Sequence, residues 1–167
     1  VRILDMCTGS GCIGISLAEM FTQAEVHLAD IDKDALEVAE QNIKKHSLED
    51  RVHAIQSDLF ENVSKIKYDI ILSNPPYVAE DDILHLEDNV RKYEPEKALF
   101  GGPDGLYFYK KIAQQAGAYL NHGGYLILEA GIGQSDAISA LLVENKFTVI
   151  DIQNDIAGIP RVITSKK

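Results

Sequence analysis

The chain has 167 residues, 46% of them apolar, enough for one domain with a core of its own. Its net charge of −10 argues against a general nucleic-acid binder, because phosphate contacts need a basic face, but it leaves room for a protein substrate. No stretch approaches membrane-span length, no basic-then-apolar leader opens the chain, and Cys7 and Cys12 form neither a promising disulfide pair nor part of a metal-ligand pattern, so a reducing, cytoplasmic setting and no bound metal are expected.

Apolar runs and helical patterns alternate along the chain. Val1 to Asp5 reads as a buried strand, so the chain opens in mid-strand without a methionine, as an excised domain would. A glycine-rich loop, Cys7 to Gly11, leads into a helical pattern over Cys12 to Phe21. Val26 to Asp30 predicts a second strand. Asp32 to His46 predicts an amphipathic helix through Leu36, Ala39 and Ile43, with Asp32 and Asp34 suited to cap its start. Val52 to Gln56 and Tyr68 to Ser73 are further strands. Val78 to Asp104 has weak periodicity, many acids and the sequence Gly101-Gly102-Pro103; a loop of that length is usually functional or mobile. Tyr107 to Leu120 predicts a helix, Gly123-Gly124 a break, Tyr125 to Glu129 a strand and Ser135 to Glu144 a helix. Phe147 to Ile152 and Arg161 to Thr164, with no helix between them, predict a hairpin at one edge of an otherwise parallel α/β sheet.

Two groups of residues carry chemistry. The first lies at strand ends. Asp5 stands before the loop Cys7-Thr8-Gly9-Ser10-Gly11, Asp30 ends the second strand, and Ser57-Asp58 follows the third. Gly9 and Gly11 permit positive φ and close approach of a ligand, and loops at the carboxyl ends of such strands form the binding edge. Gly9-x-Gly11-x-x-Gly14 formally matches a dinucleotide fingerprint, and Asp30 lies where a ribose-binding acid is expected. Asp5, however, would repel a pyrophosphate and would tolerate a ligand carrying an ammonium and a sulfonium. Helix capping is the rival reading of Asp30 and Asp58.

The second group is Ser73-Asn74-Pro75-Pro76-Tyr77. Two prolines end a strand and hold the residues before them extended, which fixes the Asn74 and Pro75 carbonyl directions beside an aromatic ring. Such a cluster of acceptors suits a planar group bearing an NH2, either a side-chain amide or an amino-substituted base. A plain Pro-Pro turn is the bland alternative.

Taken together, Asp5 to Gly11, Asp30, Asp58 and Asn74 to Tyr77 resemble the class I S-adenosylmethionine-dependent methyltransferases that modify planar nitrogens. Leu4 to Ile13, Arg91-Lys92-Tyr93-Glu94-Pro95, Ala98 to Leu106 and Asp155 to Val162 narrow the resemblance to the HemK family. It implies a Rossmann-like seven-stranded fold, mostly parallel with an antiparallel edge hairpin. It also implies that residues 1–167 form the catalytic domain, without the family's N-terminal helical domain that helps to hold the substrate protein. The implied reaction moves a methyl group from S-adenosylmethionine to a glutamine amide of a protein, a peptide chain release factor first and a large-subunit ribosomal protein second; an adenine amino group of nucleic acid is a more distant alternative.

By the resemblance, Cys7, Thr8, Gly9, Ser10 and Gly11 would wrap the methionine part of the cofactor; Asp5, a carboxylate close to that loop that tolerates a cationic ligand, is expected among the cofactor-binding residues. Asp30 would bind the ribose, and Ile31, Asp58 and Leu59 the adenine. Asn74, also counted among the cofactor contacts, and the Pro75 carbonyl would hold the acceptor amide, with Pro76 in the same catalytic turn and Tyr77 packing on the flat amide to help exclude water. Arg91, Glu94 and Arg161 are candidates to brace the loop after Tyr77, with a surface ion pair as the alternative. The five histidines are scattered and not expected to be catalytic.

Overall fold

The computed structural model describes residues 1–83 and 96–167, the side chains of residues 96 and 97 apart. Seven strands form one sheet: β1 Arg2–Met6, β2 Glu25–Asp30, β3 Val52–Gln56, β4 Tyr68–Ser73, β5 Leu120–Glu129, β6 Thr148–Asn154 and β7 Pro160–Lys166. The helices are α1 Cys12–Met20, α2 Lys33–Lys45, α3 Glu80–Ile83, α4 Glu96–Leu99, α5 Tyr107–Tyr119 and α6 Ser135–Glu144. The sheet order is β3-β2-β1-β4-β5-β7-β6. Strands β1 to β5 run parallel, and β7 pairs antiparallel with both β5 and β6. The chain winds outward from β1 to β3 and then returns to lay β4 on the other side of β1. That reversal creates a crevice at the carboxyl ends of β1 and β4, where ligands bind in open α/β sheets.

Alternate residues of each central strand feed two cores. Ile3, Val26 and Leu28 meet Ile15 and Ala18 of α1 and Ala39 and Ile43 of α2 on one face. Leu4, Met6, Ile71 and Leu128 meet Tyr109, Ile112 and Ala116 of α5 and Ile138 of α6 on the other. Helix α2 starts where the sequence indicates: the Asp32 carboxylate caps it by accepting from the Asp34 N–H at 3.0 Å, and Lys44 and Lys45 complement the dipole in its last turn.

Strands β3 and β4 and helix α6 have the predicted bounds. Strand β5 does not. It begins at Leu120 rather than Tyr125 and runs through Gly123-Gly124, with its register against β4 shifting between Tyr68 and Ile70. Gly123 has φ +79°, so the glycines here make an irregularity within a strand rather than a boundary. The predicted edge hairpin is present, with β6 outermost and β7 inside it. Among the described residues no helix is long and apolar enough to cross a membrane.

Helix α1 lies close to the sheet because Gly14 has no side chain. A Cβ there would fall 2.2 Å from Leu28 Cδ2 and 3.0 Å from Asp5 Oδ2. The third glycine of the formal fingerprint is therefore a packing glycine. Gly14→Ala should overpack this contact and lower the unfolding free energy by ~1–3 kcal/mol. Urea denaturation checks this, and an unchanged midpoint would show that α1 can shift at no cost.

Candidate active site

The turns that follow β1, β2, β3 and β4 surround a cavity of about 760 Å³, within the range of about 300–1,000 Å³ usual for small-molecule sites. Asp30 organises the first two turns. Its Oδ2 accepts the Gly9 N–H at 2.8 Å and its Oδ1 accepts the Asp32 N–H at 2.9 Å. Each oxygen keeps a lone pair for a hydroxyl, so the ligand-binding and structural readings of Asp30 coexist. Asn42 of α2 donates to the Ser10 carbonyl at 2.9 Å and ties the loop to the second helix.

Of the residues singled out in the sequence, Cys7, Gly9, Ser10, Asp30, Ile31, Asp58, Leu59, Asn74 and Pro76 line the cavity. Gly9 has φ +57°, and nothing lies within 4 Å of where its Cβ would be, so its backbone is open to an approaching group. Cys7 also has positive φ, +57°. Burial, reinforced by the Asp30 charge, pushes its thiol up to about 12, so at neutral pH it is an uncharged contact and not a nucleophile.

Asp5 takes a different place from the one expected. It is 1% exposed, beneath the loop rather than on the cavity wall. Its Oδ2 accepts from Thr8 Oγ1 at 2.6 Å and from the Gly14 N–H at 2.9 Å, which leaves Thr8 buried beside it and joins the loop to α1. Its Oδ1 is buried with no hydrogen-bond partner among the described residues. Burial outweighs the Thr8 and Gly14 hydrogen bonds, and Asp30 adds repulsion, so the carboxyl is raised to about 6. Gly11 is likewise buried, wedged against Leu28 and Ile15 under the loop.

The other half of the cavity is the turn after β4. Ser73 Oγ donates to the Met6 carbonyl at 2.7 Å and locks the end of β4 to β1. Asn74 is half-buried, and no group among the described residues hydrogen-bonds its side chain. Pro75 is buried and Pro76 faces the cavity. Tyr77 does not line it; its ring packs on the larger core. The aromatic wall comes instead from Tyr107 and Phe108 at the start of α5, whose rings meet edge to face at 5.2 Å. The sequence marks these two only as the first residues of a helix. The preceding segment lies across the turn, with Val78 donating to Leu99 O and Gly101 to Val78 O, both at 2.8 Å, and Tyr107 to Gly101 O at 3.0 Å.

Arg91 and Glu94 lie outside the described residues. Arg161 pairs with Asp155 at 3.2 Å and donates to the Ala130 carbonyl at 3.2 Å. No group of side chains that could hold a metal occurs among the described residues.

The donor set decides what the cavity can hold. The charged groups that line it are Asp30, Asp32 and Asp58, with no Lys or Arg among the described lining residues. Among the described lining residues a pyrophosphate would meet only like-charged side chains. A ligand with hydroxyls, an amino-substituted ring and positive charge meets acceptors throughout, beside the apolar Leu59 and Ile31. S-adenosylmethionine fits that description and NAD does not.

The Asp5 carboxyl makes stability depend on pH. Because it binds its proton more tightly folded than unfolded, it favours folding below about pH 4, and that contribution is lost as pH rises through about 6. Asp5→Asn keeps an acceptor for Thr8 and Gly14 and removes the titration. Between about pH 4 and pH 7, urea unfolding should shift by about 2 kcal/mol in favour of the variant relative to wild type. A difference independent of pH would show that the Asp5 carboxylate is not strained by its burial.

Comparison with known proteins agrees with this geometry. Residues 1–90 match the family model of the methyltransferase small domain. A release factor glutamine methyltransferase of Clostridium botulinum is 43% identical over 168 residues, covering 99% of this chain and 59% of that protein. A ribosomal protein uL3 glutamine methyltransferase of Francisella tularensis is 50% identical over 132 residues, covering 79% of this chain and 42% of that protein. The chain thus spans about three-fifths or less of the length of these relatives. The crystal structure of a methyltransferase from Pyrococcus furiosus superposes with a TM-score of 0.73 at 20% identity, covering 99% of this chain and 74% of that one, and shows the same fold. The resemblance read from the motifs is borne out, and the chain belongs to the methyltransferase small domain family.

Proposed function

We propose that this chain is the catalytic domain of an enzyme that methylates the side-chain amide nitrogen of a glutamine in a protein, with a peptide chain release factor as the substrate. The observation that carries the reading is Asn74: a half-buried amide without a hydrogen-bond partner among the described residues, on a proline-stiffened turn, facing a cavity whose charged groups, among those residues, are all carboxylates. S-adenosylmethionine, when bound, supplies an electrophilic methyl group on a sulfonium. Asp30 holds its ribose hydroxyls, Asp58, Leu59 and Ile31 its adenine, and Cys7 to Gly11 its methionine part.

A glutamine amide is a poor nucleophile because its lone pair is delocalised into the carbonyl. Among the described residues no strong base lines the site, and the Cys7 thiol stays protonated. Placement therefore supplies the rate. Asn74 Oδ1 and the Pro75 carbonyl each accept one amide hydrogen, which fixes the NH2 plane and directs its lone pair into the cavity. Fixed geometry of this kind is worth roughly 7–11 kcal/mol at best. The same acceptors stabilise the positive charge that grows on nitrogen, and the proton leaves once the methylated nitrogen has become acidic. Tyr107 and Phe108 shield the site from water.

A ribosomal protein is the second reading, supported by the uL3 glutamine methyltransferase among the relatives; it uses the same amide chemistry. Nucleic acid fits less well with a net charge of −10. A cytoplasmic location suits both protein substrates and two free cysteines.

Calorimetry should show binding of S-adenosylmethionine and S-adenosylhomocysteine and none of NAD; the reverse would end this reading. Asp30→Ala should weaken the two methionine-derived ligands by at least ~1.5 kcal/mol, since it removes charge-assisted hydrogen bonds and releases Gly9. Asn74→Ala should leave their affinity near normal while methyl transfer falls on the order of a hundredfold to a thousandfold. Wild-type turnover in a folded Asn74→Ala variant would make the Asn-Pro-Pro-Tyr turn purely structural.

A further inference from the structure

Gln134 occupies the residue before α6, yet its side chain does not cap that helix. Glutamine is not a favoured residue there. Its amide turns the other way and joins three separate backbone segments. Nε2 donates to the Tyr77 carbonyl at 2.9 Å and approaches the Gly105 carbonyl at 3.5 Å, while Oε1 accepts the Gly131 N–H at 3.1 Å. Two carbonyls on one side and an N–H on the other fix the amide orientation, since a flipped amide would set oxygen against oxygen.

The surrounding glycines make room for this side chain. A Cβ on Gly131 would lie 2.5 Å from Gln134 Oε1 and 2.9 Å from Tyr77 Cδ2. One on Gly105 would lie 2.4 Å from the Tyr77 carbonyl and 2.5 Å from Gln134 Nε2. One on Gly101 would lie 2.7 Å from Tyr77 Cα and 2.8 Å from the Pro76 carbonyl. Three glycines thus let backbone pack on the last two residues of the Asn-Pro-Pro-Tyr turn, and one amide pins the stack. Proline stiffens the turn within itself but cannot set its angle to the rest of the site. Pro75 and Pro76 also have no N–H with which to hold the turn to its neighbours.

We propose that Gln134 is a positioning residue: by holding the Tyr77 carbonyl against Gly131 and Gly105 it sets where Asn74 and the Pro75 carbonyl stand relative to the cofactor cavity. The proposal rests on the glutamine-methylation reading for its effect on turnover. Its structural half is independent of that reading.

The test is Gln134→Glu in the complete polypeptide at neutral pH, with Gly131→Ala as a second variant that displaces the amide by sterics alone. The glutamate has the same size and still accepts from Gly131, but it sets a carboxylate oxygen against the Tyr77 and Gly105 carbonyls. Hydrogen exchange at Val78 and Gly101, whose N–H groups hold the neighbouring ladder, should quicken about tenfold or more in both variants, while α1 and β2 exchange as in wild type. S-adenosylhomocysteine affinity should stay within about twofold, and kcat should fall about tenfold to a hundredfold, as a displacement of about 1 Å would cause. Unchanged exchange at Val78 and Gly101 would overturn the brace. Faster exchange with full turnover would overturn its positioning role, as would a loss of turnover matched by an equal loss of cofactor affinity. If the wild type methylated no glutamine-bearing protein, the functional reading would fall, and the exchange pattern would still decide whether Gln134 braces the turn.

Discussion

The carboxyl edge of this sheet depends on how closely α1 can approach β1 and β2. With no side chain at Gly14, the helix backbone comes near enough for its N–H to reach the Asp5 carboxylate, which also takes the Thr8 hydroxyl. One buried carboxylate therefore joins the end of β1, the loop and the first helical turn. The cost is a charge out of water, visible in a carboxyl raised to about 6. Any residue larger than glycine at position 14 would lift the helix, separate these groups and change the shape of the loop that forms the cavity wall.

Charge then selects the ligand. Asp5 lies below the loop and Asp30 at its rim, and the Asp30 charge adds to the burial that disfavours the ionised form of Asp5. Asp58 and Asp32 add to the same field from the next strand end and the α2 cap. A positive ligand in the cavity relieves this repulsion at several carboxylates together, whereas an anionic one adds to it. The formal glycine fingerprint does not distinguish these cases, because glycines describe the space available and not the charge that fills it.

Much of this architecture is legible in the sequence because local constraints and the global fold agree. The alternation of buried strands and amphipathic helices gives the parallel sheet, Asp32 marks the start of α2, and Pro75-Pro76 marks the end of β4. The departures have physical causes. Gly123-Gly124 reads as a break, yet β5 passes through it, because a register irregularity within a strand and a chain reversal use the same residue type. Asp5 is visible as an acid near the loop, but its burial depends on how α1 packs, which no local pattern records. Tyr77 stands in the motif and points to the core, while Tyr107 and Phe108 come to the cavity from thirty positions later in the chain. Gln134 carries no periodic or capping signal at all. The clue to it is indirect: glycines at 101, 105 and 131, each where a Cβ would strike the backbone or ring of the turn or the Gln134 amide.

The two halves of the site are built on different principles. The carboxylate half is anchored by hydrogen bonds that the Asp5 and Asp30 carboxylates accept from backbone N–H groups, which hold a loop against the sheet. The amide half, among the described residues, puts no charged side chain on the cavity wall. It is a stack of backbone segments, 76–78, 99–105 and 131, packed through glycines and joined by carbonyl hydrogen bonds. That difference matches the chemistry proposed for each half. A cationic cofactor can be bound by field, which is tolerant of small displacements. A glutamine nitrogen without a base to activate it reacts only if its two hydrogens are held and its lone pair is aimed, and neutral acceptors do this through direction rather than strength. A carboxylate in place of Asn74 would bind the amide hydrogens more strongly, yet it would also attract the sulfonium and blur the division between the cofactor and the acceptor. In the proposed reaction an amide from Asn74 and a carbonyl from Pro75 would accept hydrogens without competing for the cation, and the precision would have to come from the backbone around them.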